Sequence, residues 1–210
     1  MKIAILGAGN VGGTLGKRWA QNGHQIAYVS REPASEKMRA LLAETPGGIA
    51  SADSRAACVD ADAILLATPW AAVPGTLAAA GDLSGKVLLD ATNPIGPGMT
   101  LLTPTAGSAG QEVARLVPGA RVVKIFNTTG WGNMADPFYA GESTAMFLCG
   151  DDADAKGVAA GLAEELGFAV ADVGGLDKAY LLEAVALTWI NLAIVQGHGR
   201  DIAFKIVKRG

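Results

Sequence analysis

The sequence predicts a doubly wound α/β protein, with a mostly parallel sheet between helical layers and a small C-terminal helical segment. Three observations carry this. Short runs apolar on both faces (Ile3–Leu6, Ala61–Ala67, Val87–Asp90, Arg121–Phe126) match strands covered from both sides. Longer helical patterns alternate with them. The 28 glycines show no collagen-like period and gather at the ends of apolar runs, where turns belong.

Taken in order, Ile3–Leu6 reads as the first strand and Gly12–Asn22 as the first helix, stopped by Gly23. Gln25–Val29 is the second strand and Pro33–Glu44 the second helix. Three buried strands follow at Ala61–Ala67, Val87–Asp90 and Arg121–Phe126. Ala145–Leu148, a helix over Asp152–Leu166 and a strand over Phe168–Val173 continue the alternation, which implies right-handed crossovers. The pattern then changes. After Gly174-Gly175, Asp177 is placed to cap a long helix reaching about Gln196, and a short helix leads into a basic tail. The chain therefore divides into residues 1–173 and 174–210.

Half of the 210 residues are hydrophobic and 18% are charged, and mean hydropathy is +0.29, which excludes intrinsic disorder. A net charge of −3 and a pI near 5.4 argue against nucleic acid as the partner, since phosphate binding needs a basic face. Cys58 and Cys149 are too few for a disulfide scaffold, and with only His24 and His198 beside them no metal site is expected. The apolar stretch Ala179–Val195 is interrupted by Glu183 and Asn191 and falls short of the roughly 20 residues that span a bilayer. Lys2 precedes only a short apolar run, so no export signal is read. The expectation is a soluble, cytoplasmic protein without a membrane partner.

Gly7-Ala8-Gly9-Asn10-Val11-Gly12 follows the first strand and opens the first helix. In that position a GxGxxG run is a dinucleotide fingerprint. Gly7 permits the tight turn, Gly9 lets the backbone approach a pyrophosphate, and Gly12 lets helix and strand pack closely. The free N–H groups and dipole of the helix start favour the anion. About 20 residues on, an NAD site offers an acid to the ribose 2′-hydroxyl. Here the second strand ends in Val29-Ser30-Arg31. A hydroxyl and a guanidinium suit a 2′-phosphate, so NADP is the expected cofactor.

The residues just after each apolar run form one rim, where ligands of doubly wound folds bind. They are Gly7–Val11, Ser30-Arg31, Thr68-Pro69-Trp70, Thr92-Asn93-Pro94 and Asn127-Thr128-Thr129. Thr68 and Pro69 lie on the ribose and nicotinamide side, and Asn93 offers a donor and an acceptor. No histidine, Tyr-x-x-x-Lys pattern or paired carboxylate lies on this rim. Direct hydride transfer, in which the cofactor carries the chemistry, suits such a site. Trp131 between glycines either presents a flat face to a planar ring or plugs the core, and Met134 is placed to adapt to that ring. Lys124 is either a buried functional lysine or one that snorkels to the strand edge. Glu183 is either a pocket acid or a structural carboxylate, His198 reads as a surface turn residue, and the tail cations as a solubilising end.

These residues resemble the F420-dependent NADP reductase family. The resemblance rests on the glycine loop, Ser30-Arg31, Thr92-Asn93-Pro94, Lys124-Ile-Phe-Asn127-Thr, Gly150-Asp-Asp and Gly174-Gly-Leu-Asp-Lys-Ala-Tyr-Leu-Leu-Glu183. It covers nearly the whole chain. It implies a Rossmann-type NADP-binding domain over 1–173 and a helical segment over 174–210 that contributes to the substrate pocket and a dimer contact. It also implies hydride transfer between NADPH and a planar partner, coenzyme F420 or a flavin. Gly9, Asn10, Val11, Ser30, Arg31, Thr68 and Pro69 are then expected on NADP. Asn93, Asn127, Thr128 and Trp131 are expected in the hydride-transfer pocket. The Gly130–Met134 loop and the tail Gly199–Phe204 look more like relatives known only as dinucleotide-binding enzymes, so the resemblance speaks for NADP-linked redox more strongly than for the acceptor.

Three other functions stay open at this level. A non-catalytic NADP(H) sensor is compatible with the missing acid and base, and an NADPH-dependent metal or flavin reductase shares the fingerprint. β-Hydroxyacid-type and pyrroline-5-carboxylate-type dehydrogenases share it too, but bring a larger helical domain than the residues after Gly174 can build. The helix Tyr180–Val195 is apolar nearly all round, as buried helices are, and in so short a chain this predicts cover from a second subunit in a homodimer.

Overall fold

A computed structural model describes residues 1–102 and 104–209; Gly210, the last residue of the expected C-terminal segment, lies outside them. Lys2–Leu6 forms β1, Asn10–Gln21 α1, Gln25–Val29 β2, Glu36–Ala43 α2, Ile49–Ser51 β3, Ser54–Asp60 α3, Ala63–Leu66 β4 and Val73–Ala80 α4. Val87–Asp90 is β5, a hairpin of Ile95–Gly96 and Thr100–Leu101 supplies β6 and β7, Ala109–Leu116 is α5 and Arg121–Lys124 is β8. Trp131–Ala135 is α6, Phe138–Tyr139 and Glu142–Ser143 pair as β9 and β10, and Ala145–Gly150 is β11. Ala153–Glu164 is α7, Ala169–Asp172 β12 and Ala179–Ile190 α8.

Eight strands make one sheet in the order β12-β11-β8-β5-β4-β1-β2-β3. Pairing is parallel except where β11 meets β8. The two-residue period of the strands divides the core. Ile3 and Ile5 of β1 join Leu15, Trp19 and Tyr28 under one helical layer, while Ala4 and Leu6 join Val73, Leu77 and Leu182 under the other. Cover on both faces is why these strands read as unbroken apolar runs. β1 has β2 on one side and β4 on the other. Strand order reverses there, so a ligand crevice is expected beyond their carboxyl ends.

The C-terminal segment departs from the sequence reading in three ways. Asp177 does not cap a long helix: Leu176–Lys178 is a 3-10 turn, α8 begins at Ala179, and no side chain bonds its first turn. The Asp177 carboxylate pairs with Lys178 instead. Second, α8 continues through a π-helical turn over Asn191–Val195. The helical stretch Leu176–Val195 thus reaches 20 residues, long and apolar enough to cross a membrane where the sequence reading had it fall short. It is not buried all round. Leu182, Glu183, Ala186 and Trp189 face inward, while Tyr180 and Leu181 are exposed. Third, no helix follows among residues 198–209. The tail folds back instead: the Ala145 N–H donates to the Phe204 carbonyl at 2.8 Å. The Ile202 carbonyl accepts from Trp189 Nε1 and Asn133 Nδ2, each at 2.7 Å.

Candidate functional site

The glycine loop joins β1 to α1 in a form that its residue types alone permit. Gly7 sits at φ +110°, and a Cβ on it would come within 2.7 Å of the Ala67 carbonyl oxygen of the neighbouring strand end. A Cβ on Gly12 would overlap the carbonyl oxygen of Gly7 and press on Ile5. Gly9 has nothing within 4 Å of its Cβ position, so its backbone faces open space. The helix beyond shares with α4, α6 and α8 the lack of a side-chain cap. The side chains of Ser35, Asp53, Ser108 and Asp152 cap α2, α3, α5 and α7. At the start of α1 stands Gly9, with no side-chain cap and no acid in the first turn. Its first N–H groups are left for an anion.

Beside this loop lies a cleft of about 630 Å³, lined by Gly7, Ala8, Ser30, Arg31, Thr68 and Pro69 among others. The Thr68 hydroxyl is buried and has no hydrogen-bond partner within the described residues, an arrangement that suits a polar ligand. A second cleft of about 350 Å³ continues past Gly9, Ser30 and Arg31 to Ser35 and Lys37. Arg31 is exposed and forms no ion pair among the described residues. Ser30 Oγ accepts from the Glu32 N–H at 3.2 Å and keeps its own proton to donate. The fold thus brings Gly7, Gly9, Ser30, Arg31, Thr68 and Pro69 to one connected depression. Asn10 lines a smaller adjoining cleft, and Val11 and Gly12 lie in the first turn of the helix behind it. Uncapped N–H groups, a hydroxyl and an unpaired guanidinium fit a phosphorylated dinucleotide.

The other end of the rim is built differently. Asn93 Nδ2 donates to the Asn127 carbonyl at 2.8 Å, and Asn127 Nδ2 donates to Asn93 Oδ1 at 3.0 Å. Turning either amide over would set oxygen against oxygen, so the pair fixes both orientations and leaves Asn127 Oδ1 without a partner among the described residues. Thr128 does not join them. It is 1% exposed and its hydroxyl is turned toward Met146 Sδ at 4.0 Å, because the chain has re-entered the core there. Trp131 is 42% exposed in the first turn of α6 and lines the cleft of Gly9, Asn10, Lys17 and Lys37. It is no core plug, and it stands nearer the phosphate loop than the sequence placed it. Met134 is fully buried in the core and is not a ring contact. The loop bearing Trp131 is pinned through Asn133, which donates to Thr129 Oγ1 and the Ile202 carbonyl, each at 2.7 Å, and accepts from Tyr139 Oη at 2.6 Å.

Beneath the asparagine pair, Lys124 is wholly buried and does not snorkel. Its Nζ meets Asp90 Oδ2 at 2.8 Å, the Thr92 carbonyl at 2.9 Å and Glu183 Oε1 at 3.3 Å. Burial presses the ammonium toward neutrality, but Asp90 and Glu183 outweigh it and hold its pKa above the ordinary lysine value. Glu183 is a structural carboxylate that also accepts from the N–H groups of Ala109 and Gly110, each at 3.1 Å. His198 lies exposed.

Sequence reasoning missed Ser35 and Lys37, since a serine and a lysine opening a helix read as a cap and a solvated charge. It also missed the link from Lys124 through Thr92 to Asn93. The register that puts Asp90 opposite Lys124 is set by sheet order, which no local pattern reveals.

Comparison with known proteins agrees with this geometry. Residues 2–94 match the family described as NADP oxidoreductase coenzyme F420-dependent. The chain is 32% identical to a candidate F420-dependent NADP reductase from Arthrobacter sp. FB24, covering 99% of this chain and 100% of that one at a TM-score of 0.89. A hypothetical protein from Sinorhizobium meliloti is 31% identical, with 100% and 96% covered and a TM-score of 0.72. Metalloreductase STEAP3 of Rattus norvegicus is 28% identical over 188 residues; that match takes in 89% of this chain and 36% of the rat protein's length.

Proposed function

This chain belongs to the family of coenzyme F420-dependent NADP oxidoreductases, and on that premise we propose that it passes a hydride directly between NADPH and a planar redox partner such as coenzyme F420 or a flavin. NADP is the family's cofactor and oxidoreduction its chemistry. The observation that carries the reading for this chain is the uncapped start of α1 beside the Ser30, Arg31 and Lys37 cleft. Gly7, Gly9 and Gly12 hold the backbone close to a pyrophosphate, while Asn10 and Val11 form the helix turn over it. Ser30 and Arg31 clasp a 2′-phosphate, with Lys37 as a second cation. Thr68 and Pro69 lie along the ribose, and Asn93 and Asn127 orient the far end.

When bound, the nicotinamide supplies the hydride. No proton has to be shuttled for that step. This suits the Asn93–Asn127 end of the rim, where the charged groups beneath, Asp90, Lys124 and Glu183, are buried and engaged with one another. The exposed indole of Trp131 offers a flat wall beside Gly9, Asn10 and Lys37, at the phosphate end of the rim. The segment from residue 174 onward supports it from behind: a Cβ on Gly130 would come within 2.5 Å of the Trp189 ring. The similarity to STEAP3 favours a second reading, an NADPH-dependent reductase of metal ions.

NADPH oxidation assayed in parallel with F420, FMN, FAD and ferric chelates separates these readings. Turnover with F420 or a flavin, and far slower turnover of NADH, is the expected result. Reduction of ferric chelates alone would favour the second reading. NADPH binding with no turnover of any acceptor would mark a sensor and overturn hydride transfer. The same reading includes a homodimer, in which the exposed side of α8 with Tyr180 and Leu181 is covered by a second copy; a monomer in sedimentation at micromolar concentration would reject it.

A further inference from the structure

Asp90, Lys124 and Glu183 are the charged side chains that the described residues bury. Taking ions out of water costs several kcal/mol each even when they are paired. Stability alone is therefore a poor reason for such a cluster. Its second negative charge is balanced by the N-terminus of α5, whose Ala109 and Gly110 N–H groups point at Glu183.

What the cluster holds is the turn that carries Asn93. Asp90 Oδ1 accepts from the Thr92 N–H at 2.9 Å and from its hydroxyl at 2.6 Å, while Lys124 donates to the Thr92 carbonyl at 2.9 Å. The residue before Asn93 is thus tied at every polar atom. On the facing strand, the Ile125 N–H donates to the Asp90 carbonyl at 3.0 Å. Phe126 then takes a left-handed φ of 62°, a strained backbone for a bulky side chain. It is held there by an edge-on contact with Trp19, ring centroids 5.6 Å apart. Asn127 follows immediately, 4% exposed, with Oδ1 unpaired among the described residues. A buried acceptor without a donor is destabilising unless a ligand supplies one.

We propose that Lys124, with Asp90 and Glu183, is a positioning residue: it locks the Thr92 turn so that the Asn93–Asn127 pair presents Asn127 Oδ1 as the acceptor for the carboxamide N–H of a bound nicotinamide. The proposal rests on the reading that NADP(H) occupies the rim. It assigns the buried ions a role in the affinity for one half of the coenzyme.

Calorimetric titration with two probes, NADPH and 2′,5′-ADP, tests it, because the second carries the 2′-phosphate and adenosine but no nicotinamide. Thr92→Val, which removes the hydroxyl and keeps the shape, and Lys124→Met are each expected to weaken NADPH about tenfold, the effect of one lost hydrogen bond, and to leave 2′,5′-ADP unchanged. Thr92→Ser restores NADPH binding. The 3-acetylpyridine analogue of NADPH lacks the amide N–H, so wild type and Thr92→Val are expected to bind it alike. Equal weakening of both probes, or no change in either, would show a purely structural cluster and overturn the proposal. Should Lys124→Met fail to fold, the Thr92 variants carry the test. Wild type that binds 2′,5′-ADP but gains nothing from the nicotinamide half overturns the acceptor role alone. Wild type that binds neither probe removes the cofactor reading beneath it.

Discussion

Arg31→Ala is expected to raise the KM for NADPH roughly 10- to 100-fold while leaving that for NADH nearly unchanged, because hydrogen bonds to a charged group contribute about 1.5–3 kcal/mol. The guanidinium faces both clefts beside the glycine loop and has no carboxylate to answer to among the described residues. Its charge is therefore available to a 2′-phosphate, which NADH lacks. Lys37 on the same cleft retains part of the affinity, so binding falls without vanishing. Steady-state kinetics with the two coenzymes decide the matter. An equal rise in both Michaelis constants would take Arg31 away from the 2′-phosphate and assign it to the adenine or to the surface.

Gly12→Ala and Gly9→Ala should fail in opposite ways. The new methyl at position 12 would overlap a backbone oxygen, that of Gly7, and press on Ile5 within the core. Backbone cannot step aside as a long side chain does, so the loop and the first turn of α1 must shift. Overpacking of this kind costs about 1–3 kcal/mol or more, and thermal unfolding should show a clear drop in Tm. At position 9 the methyl meets nothing within 4 Å, so Tm should hold. The methyl then stands in the space assigned to the pyrophosphate, and NADPH affinity should fall by about tenfold or more, since a loss of 1.4 kcal/mol is one factor of ten. A Gly9→Ala protein that binds NADPH as wild type does would move the pyrophosphate elsewhere.

Much of the nucleotide half was legible in the residues. β2 and β5 appear where read, and β1 starts one residue early. The glycine loop and Ser30-Arg31 could be placed on one rim because glycine spacing, a preceding strand and a following helix are contiguous in the chain. The elements that escaped include α3 and α5, which carry their caps Asp53 and Ser108, and others whose local pattern is weak. β3 has three residues, α4 begins Val-Pro-Gly, and α6 has five residues with Gly132 among them. Thr128 and Met134 were misplaced for one reason: a polar or adaptable residue near the rim is indistinguishable, in one dimension, from the same residue turned inward.

The chain's own pattern determined the doubly wound class, the position of the glycine loop and the expectation of a 2′-phosphorylated coenzyme, since each depends on residues within one strand–turn–helix unit. Only tertiary structure decided the fate of Lys124, Asp90, Glu183, Asn93 and Asn127. Their partners lie 34 to 74 positions away, brought together by sheet order and by a C-terminal helix laid across α5. Electrostatics in a buried site depends on distance in space and on what has been stripped of water. Neither quantity is written along the sequence until the strands have chosen their neighbours.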